Sequence, residues 1–380
     1  MIDGEESQTT FAFAVIIFYD MTGKEEGMTQ GTELPTYKKD LFVGREKFLK
    51  SVMTALRQLS ANQVPEHRTF AFRGERGTGK TWLLSHVSTL AREEKPEPAV
   101  FHLDLMAEKY VGHDPLLTVI AVLEALTNAL GLYTEKEFQS LGAAPSRISR
   151  KVMEKLDGIL SEKPLLVLVD HVYESEWDVL APLEDYVLGP LASKGRVLLL
   201  LAGRGREYPW KTPELFSAKV FEMEPFTPEK TRQQVEKQVK RPKYDKEGVH
   251  ALTGGYPMQN YFLAKYGFPK GLYKSVEEIL RQVEDDERQA IQEYLEALCP
   301  LDTFDEEAIK WMLAAYYKDD TYKNWTHRQA RTVREKLVGR YGFARWDEDR
   351  RAYVMYASAR LSVRNALQAR EIERWSRLYT

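Results

Sequence analysis

Residues Gly74 to Thr81 read GERGTGKT, three glycines followed by a lysine and a threonine in fixed positions. Gly74, Gly77 and Gly79 let the backbone around Thr78 curl until successive N–H groups face one anion. Lys80 then reaches the outer phosphates of a nucleotide, and Thr81 offers a hydroxyl to Mg²⁺. A helix opening at Trp82, the first residue beyond the cup and a further contact, turns its positive end toward the same charge. The chemistry of this spacing is the binding of ATP or GTP.

Hydrolysis needs an acid at the end of a neighbouring buried strand to hold Mg²⁺, and another to orient the attacking water. Asp170 closes the apolar run LLVLV and joins Thr81 as the Mg²⁺ candidate; Glu174, one turn further, is the candidate base. His171 between them suits a local hydrogen bond better than proton transfer. His102 and Asp104, on an earlier strand, are less informative. Arg204 or Arg206 in AGRGR can point at the outer phosphate, because a guanidinium binds phosphate oxygens in pairs.

These residues need a scaffold, and the apolar pattern supplies one. Short runs at Thr69 to Arg73, Ala99 to Leu105, Leu165 to Asp170, Arg196 to Ala202 and Lys219 to Met223 alternate with amphipathic stretches such as Pro115 to Leu132 and Ile148 to Leu160. Continuous apolarity in the third and fourth runs predicts strands covered on both faces, hence an α/β domain with a doubly wound parallel sheet. Ligands of such sheets bind beyond the carboxyl ends of the strands, where GERGTGKT falls.

After Phe226 the strand pattern stops. Thr227 caps a helical stretch over Pro228 to Gln238, Gly254, Gly255 and Pro257 break it, and a helix resumes over Met258 to Tyr266. Helical patterns at Asp286 to Leu298, Asp305 to Tyr316 and Ala330 to Gly339 precede two short strands, Gly342 to Trp346 and Arg351 to Met355, the outline of a winged helix. The expected divisions are an arm and linker over 1–36, a nucleotide-binding domain over 37–226, a helical lid over 227–284 and a winged-helix domain over 285–380.

The chain has 380 residues, 43% hydrophobic and 29% charged, with a net charge of -3, which argues against wholesale coating of nucleic acid. A single cysteine, Cys299, excludes an internal disulfide and reads as a buried thiol in a reducing compartment. The apolar Phe11 to Tyr19 is too short to span a membrane, and its acidic flank argues against a signal peptide. It reads as an edge strand or adhesive arm ahead of a polar linker over Met21 to Pro35, with folding beginning near Leu41. The expected location is cytoplasmic.

Together the ordered motifs resemble the STAND class of signal-transduction ATPases, AAA+-related P-loop proteins that include NACHT and NB-ARC domains. FVGREKFL, from Phe42 to Leu49, resembles the segment in which backbone at Val43 and the side chain of Arg45 embrace adenine. GERGTGKT matches Walker A, and LLVLVDHVYE is similar to a Walker B element that gives Asp170 and Glu174 their roles. AGR resembles the sensor motif, with Arg204 as its arginine, and GGYP resembles the lid signature whose proline, Pro257, packs on adenine. The resemblance covers roughly Leu41 to Ala366. It implies a switch in which ADP keeps the domains folded together and ATP opens them for self-assembly, with a separate sensor or effector protein as a further partner. Two departures matter. His171 and Tyr173 intervene where the family often carries an acid, implying slow hydrolysis. Tyr356 stands where a histidine frequently contacts the ADP β-phosphate, implying a resting state that is weaker or held by another group.

Charge adds a rival reading. From Arg281 to Asp320 the chain carries about -8 and from Thr321 onward about +8. Opposed patches suit head-to-tail association. Arg328, Arg331, Arg334, Lys336 and Arg340 on one stretch also suit DNA phosphates, as in an AAA+ initiator or loader. A third reading is a nucleotide-stabilised scaffold that does not hydrolyse.

Overall fold

Two runs are apolar at every position before their last residues because both of their faces are covered. In the computed structural model, which describes residues 34–107, 110, 112–204 and 208–379, Leu165–Asp170 and Val197–Gly203 are wholly buried. Numbering strands along the chain, Thr69–Arg73 is β1, Ala99–Asp104 is β2, these two are β3 and β4, and Lys219–Glu222 is β5. They form one sheet in the order β2-β3-β4-β1-β5, with every neighbouring pair parallel. The strand limits differ from the sequence reading by one residue, at the ends of β2 and β5 and at both ends of β4.

Helices cover both faces. On one, Glu46–Ser60 (α1) and Lys80–Glu93 (α2) place Leu56, Leu59, Leu83 and Leu84 against Phe72, Leu168 and Leu200. Pro115–Leu130 (α3), the short Glu135–Gln139 (α4) and Pro145–Glu162 (α5) lie between β2 and β3. Trp177–Leu183 (α6), Gly189–Ala192 (α7) and Pro213–Phe216 (α8) follow. From these, Leu123, Leu126, Ile148, Leu156, Leu183 and Leu215 pack with Val167 and Leu199 on the second face. Each fully buried leucine contributes about 1.5–3 kcal/mol. The result is the doubly wound α/β sheet of a P-loop NTPase, as the apolar pattern predicts.

The remaining chain is helical. Thr227 caps Pro228–Gln238 (α9) by accepting the Lys230 N–H. Lys246–Thr253 (α10) and Lys270–Leu280 (α12), on either side of Pro257–Tyr266 (α11), are additions to the sequence reading. Arg288–Leu298 (α13), Glu306–Tyr317 (α14) and His327–Glu335 (α15) precede an antiparallel hairpin of Ala344–Asp347 (β6) and Ala352–Met355 (β7). Ala357–Arg370 (α16) and Ile372–Tyr379 (α17) close the described chain. The order of three helices and a hairpin is that of a winged helix. Its third helix starts earlier than expected because Thr326 and Gln329 form a capping box.

The lid helices and the winged-helix elements share one apolar core, in which Phe262, Ile279, Leu295, Leu313, Phe343 and Leu367 are buried together. Cys299 belongs to it, and burial pushes its thiol up to about 12, as fits an inert structural thiol. Among the described residues no helix is long and apolar enough to cross a membrane. The expected arm at Phe11 to Tyr19 and most of the linker lie outside the described residues. Packing begins before Leu41, since Tyr37 already meets Trp82 and His86.

Candidate functional site

The loop leaving β1 turns sharply into α2, and Gly77 and Gly79 supply the left-handed backbone it needs, with φ of +81° and +88°. Gly77 is also pinned from outside: a Cβ there would lie 3.0 Å from that of Met258. Lys80 is buried and folds back onto its own loop, donating to the carbonyls of Gly74 at 2.7 Å and Glu75 at 3.0 Å. Burial pulls its pKa down to about 8, with Arg204 and Arg76 assisting and Glu174 and Asp170 opposing. All four charges act on the lysine. Thr78 is buried, its hydroxyl donating to Glu75 O at 2.8 Å, and Thr81 is exposed at the first turn of α2.

The opposite wall is made by the ends of β3 and β4. Asp170 is 1% exposed; its Oδ1 accepts the His171 N–H at 2.9 Å, while Oδ2 is buried without a hydrogen-bond partner. An orphaned buried carboxylate oxygen beside a phosphate cup fits a site that completes itself with Mg²⁺ and its waters. His171 adopts a left-handed φ of +57° and gives its Nδ1 to Asp104 at 2.8 Å, the local bond expected of it. Burial disfavours its charge, but Asp104, Asp170 and Glu174 outweigh that and raise its pKa. Asp104 is thus more informative than its sequence context suggested.

Glu174 reaches across to β4. Its Oε2 accepts the Arg204 N–H at 3.0 Å and its Oε1 lies 3.3 Å from Arg204 Nε. Gly203 makes this possible, since a Cβ there would sit 2.7 Å from Glu174 Oε2. The candidate base and the candidate sensor arginine are therefore paired with each other. Arg206, the other arginine of AGRGR, lies outside the described residues.

On the side assigned to adenine, Val43 is buried and Arg45 has a left-handed φ of +68°. The Arg45 guanidinium donates to Thr78 O at 2.9 Å and lies 4.8 Å from the centre of the Phe226 ring. Burial lowers its pKa to about 10, so it stays cationic. Helix α9 ties this segment to the lid: Gln238 donates to Leu41 O, Lys237 to Phe42 O and Gln234 to Pro257 O, at 2.8–3.1 Å. Trp82 is half-buried, edge-on to Tyr37 with ring centres 5.6 Å apart.

Sequence reasoning missed how closely the C-terminal elements grip the cup. The Met258 N–H donates to Gly77 O at 3.2 Å. Glu75, a variable letter of the loop, accepts the Tyr256 hydroxyl at 3.1 Å and the N–H groups of Ala357 at 3.1 Å and Ser358 at 2.5 Å. Its carboxylate thus sits on the N-terminus of α16, where the helix dipole favours a negative charge. Tyr356, the residue aligned with the family's histidine, immediately precedes those two amides.

The basic stretch is largely neutralised by acidic residues of the C-terminal half. Arg331 pairs with Glu335 at 2.7 Å, Arg334 with Glu306 at 3.0 Å, Lys336 with Glu287 at 3.0 Å and Arg340 with Glu284 at 2.7 Å. Arg328 has no acidic partner within salt-bridge distance among the described residues.

No protein-family profile matches the chain, and no curated protein sequence does. Among solved structures, a Walker-type ATPase of Pyrococcus abyssi is similar over 87% of this chain and 98% of its own, with a TM-score of 0.53 and 14% identity. Cdc6p of Pyrobaculum aerophilum covers 85% of this chain and 94% of its own at a TM-score of 0.47 and 14% identity. A STAND protein with a tetratricopeptide repeat sensor from Pyrococcus horikoshii matches 87% of this chain and 43% of its own at 0.37 and 15%. The first likeness supports the P-loop NTPase fold.

Proposed function

We propose that the protein is a STAND-type switch that binds Mg²⁺-ATP, hydrolyses it slowly to ADP and couples nucleotide state to assembly with copies of itself. The observation that carries this reading is the double grip on the phosphate cup, by Met258 and Tyr256 of the lid and by the first amides of α16. A loop that binds phosphate and is also held by two later domains transmits the state of its ligand to them.

In this reading the N–H groups from Glu75 to Thr81 and the Lys80 ammonium bind the phosphates, with Val43, Arg45, Trp82 and Pro257 around the base. Thr81 and Asp170 would hold Mg²⁺, which would supply charge compensation for the outer phosphates. Lys80 leaves its bonds to Gly74 and Glu75 carbonyls to take up phosphate oxygens. Glu174 orients the attacking water only after releasing Arg204, which accounts for slow turnover and separates this reading from a scaffold that never hydrolyses. The moving parts are the segment 37–226 and, joined by their common apolar core, the segments 227–284 and 285–380, in a cytoplasmic protein whose further partner is a separate sensor or effector. The ion pairing of Arg331, Arg334, Lys336 and Arg340 gives the DNA-binding alternative little support.

Calorimetry with Mg²⁺ and ATP or ADP tests the premise. Lys80→Ala is expected to abolish nucleotide binding while leaving the folded protein intact by circular dichroism. Wild-type protein that gives no heat with either nucleotide removes the reading. Sizing with ADP and with a non-hydrolysable ATP analogue then tests assembly.

A further inference from the structure

Gln282 lies just beyond α12 and touches three parts of the chain. Its Oε1 accepts from Arg76 Nη1 at 2.6 Å and also from Arg204 Nη2; its Nε2 donates to the Tyr341 carbonyl at 2.7 Å, next to the hairpin. Arg76 belongs to the loop after β1 and Arg204 directly follows β4, so two guanidinium groups from distant parts of the chain converge on one neutral amide oxygen.

That arrangement is electrostatically incomplete. Two like charges sharing an acceptor repel, and the acceptor that suits a pair of guanidiniums is an oxygen of a carboxylate or phosphate. Arg76, Arg204 and Lys80 feel one another's charge together with that of Arg281, opposed by Glu174, Asp170 and Glu278. Glu174 is already engaged by Arg204. These groups keep an excess of positive charge at the mouth of the cup, where an anion gains most from it.

We infer that Gln282 Oε1 is a neutral stand-in for an oxygen of the terminal phosphate, and that a triphosphate displaces it from Arg76 and Arg204 whereas a diphosphate does not. Gln282 then determines discrimination between ATP and ADP. Its displacement also breaks the bond to Tyr341, passing the presence of the third phosphate to the winged-helix elements through one side chain. The inference rests on the nucleotide-binding reading above.

The test is calorimetry on wild type, Gln282→Ala and Gln282→Glu with Mg²⁺ and either ADP or a non-hydrolysable ATP analogue. Gln282→Ala, with no amide to displace, is expected to bind the analogue about tenfold more tightly, equivalent to ~1.4 kcal/mol. Gln282→Glu keeps the size of the side chain but gives both arginines a full charge, and is expected to bind the analogue at least about tenfold more weakly. ADP affinity stays within about twofold in both. If wild type binds nucleotide and the variants leave the ratio of the two affinities unchanged, Gln282 is merely structural and the inference falls alone. If wild type binds neither nucleotide, the underlying reading fails and the inference with it.

Discussion

The sheet domain and the C-terminal half are built on different terms from the joint between them. Each is filled by apolar side chains: Leu166, Leu168, Leu198 and Leu200 against α1 and α2 in the first, Phe262, Ile279 and Leu367 in the second. No buried member of the sheet clusters, which end at Met223, belongs to the C-terminal cluster, which begins at Val235. The joint instead runs through Glu75, Arg76, Gly77, Arg204 and the carbonyls of Leu41 and Phe42. Apolar burial has no alternative partner short of unfolding, whereas a hydrogen bond to a carboxylate or guanidinium can be exchanged for one to a phosphate or to water. In the proposed switch, the difference would put motion at the joint and rigidity on either side.

The largest effect should come from within a body. Leu200→Ala, at a position with no exposure in the middle of β4, is expected to lower unfolding stability by about 2–5 kcal/mol in urea titration. A loss under ~1 kcal/mol would mean that the sheet is not the rigid partner. Glu75→Gln should act on the joint instead. It removes the charge received by Tyr256, Ala357 and Ser358, weakening closure by about 1.5–3 kcal/mol. Small-angle scattering should then show expansion, and protease should cut faster near Phe226, with the urea midpoint unmoved. If the midpoint falls as far as in Leu200→Ala, joint and core are one cooperative unit and the comparison breaks. The smallest change is expected at a surface pair outside both: Arg57→Ala, removing the exposed 2.7 Å contact with Glu94, should cost less than about 1 kcal/mol.

Much of the sheet domain was legible because its signals are local. Continuous apolarity marked β3 and β4, and glycine spacing marked the cup. Asp170 could be placed from its position at the end of a buried run. Helix α10 was equally legible and was overlooked: Asp245 caps its start by accepting the Gly248 N–H, and Gly254 ends it with a left-handed φ of +62°. The joint was not legible in the same sense. Glu75 meets Ser358 and Arg76 meets Gln282 across hundreds of positions, and neither partner carries a pattern that marks it. The charge excess after Thr321 left the pairing of its cations unread for the same reason. It counts Lys336 without the distant Glu287 that pairs with it.

The core shared by lid and winged helix limits the kinds of movement open to the chain. With Phe262 of α11 and Leu367 of α16 packed in one apolar mass, sliding one domain over the other would expose leucines to water. In the proposed switch, the whole C-terminal half would move as one body about the few residues between β5 and α9, like a door whose frame is the sheet. A side-chain displacement beside the pivot would, in that switch, be felt most at α17, the element furthest along the chain from it.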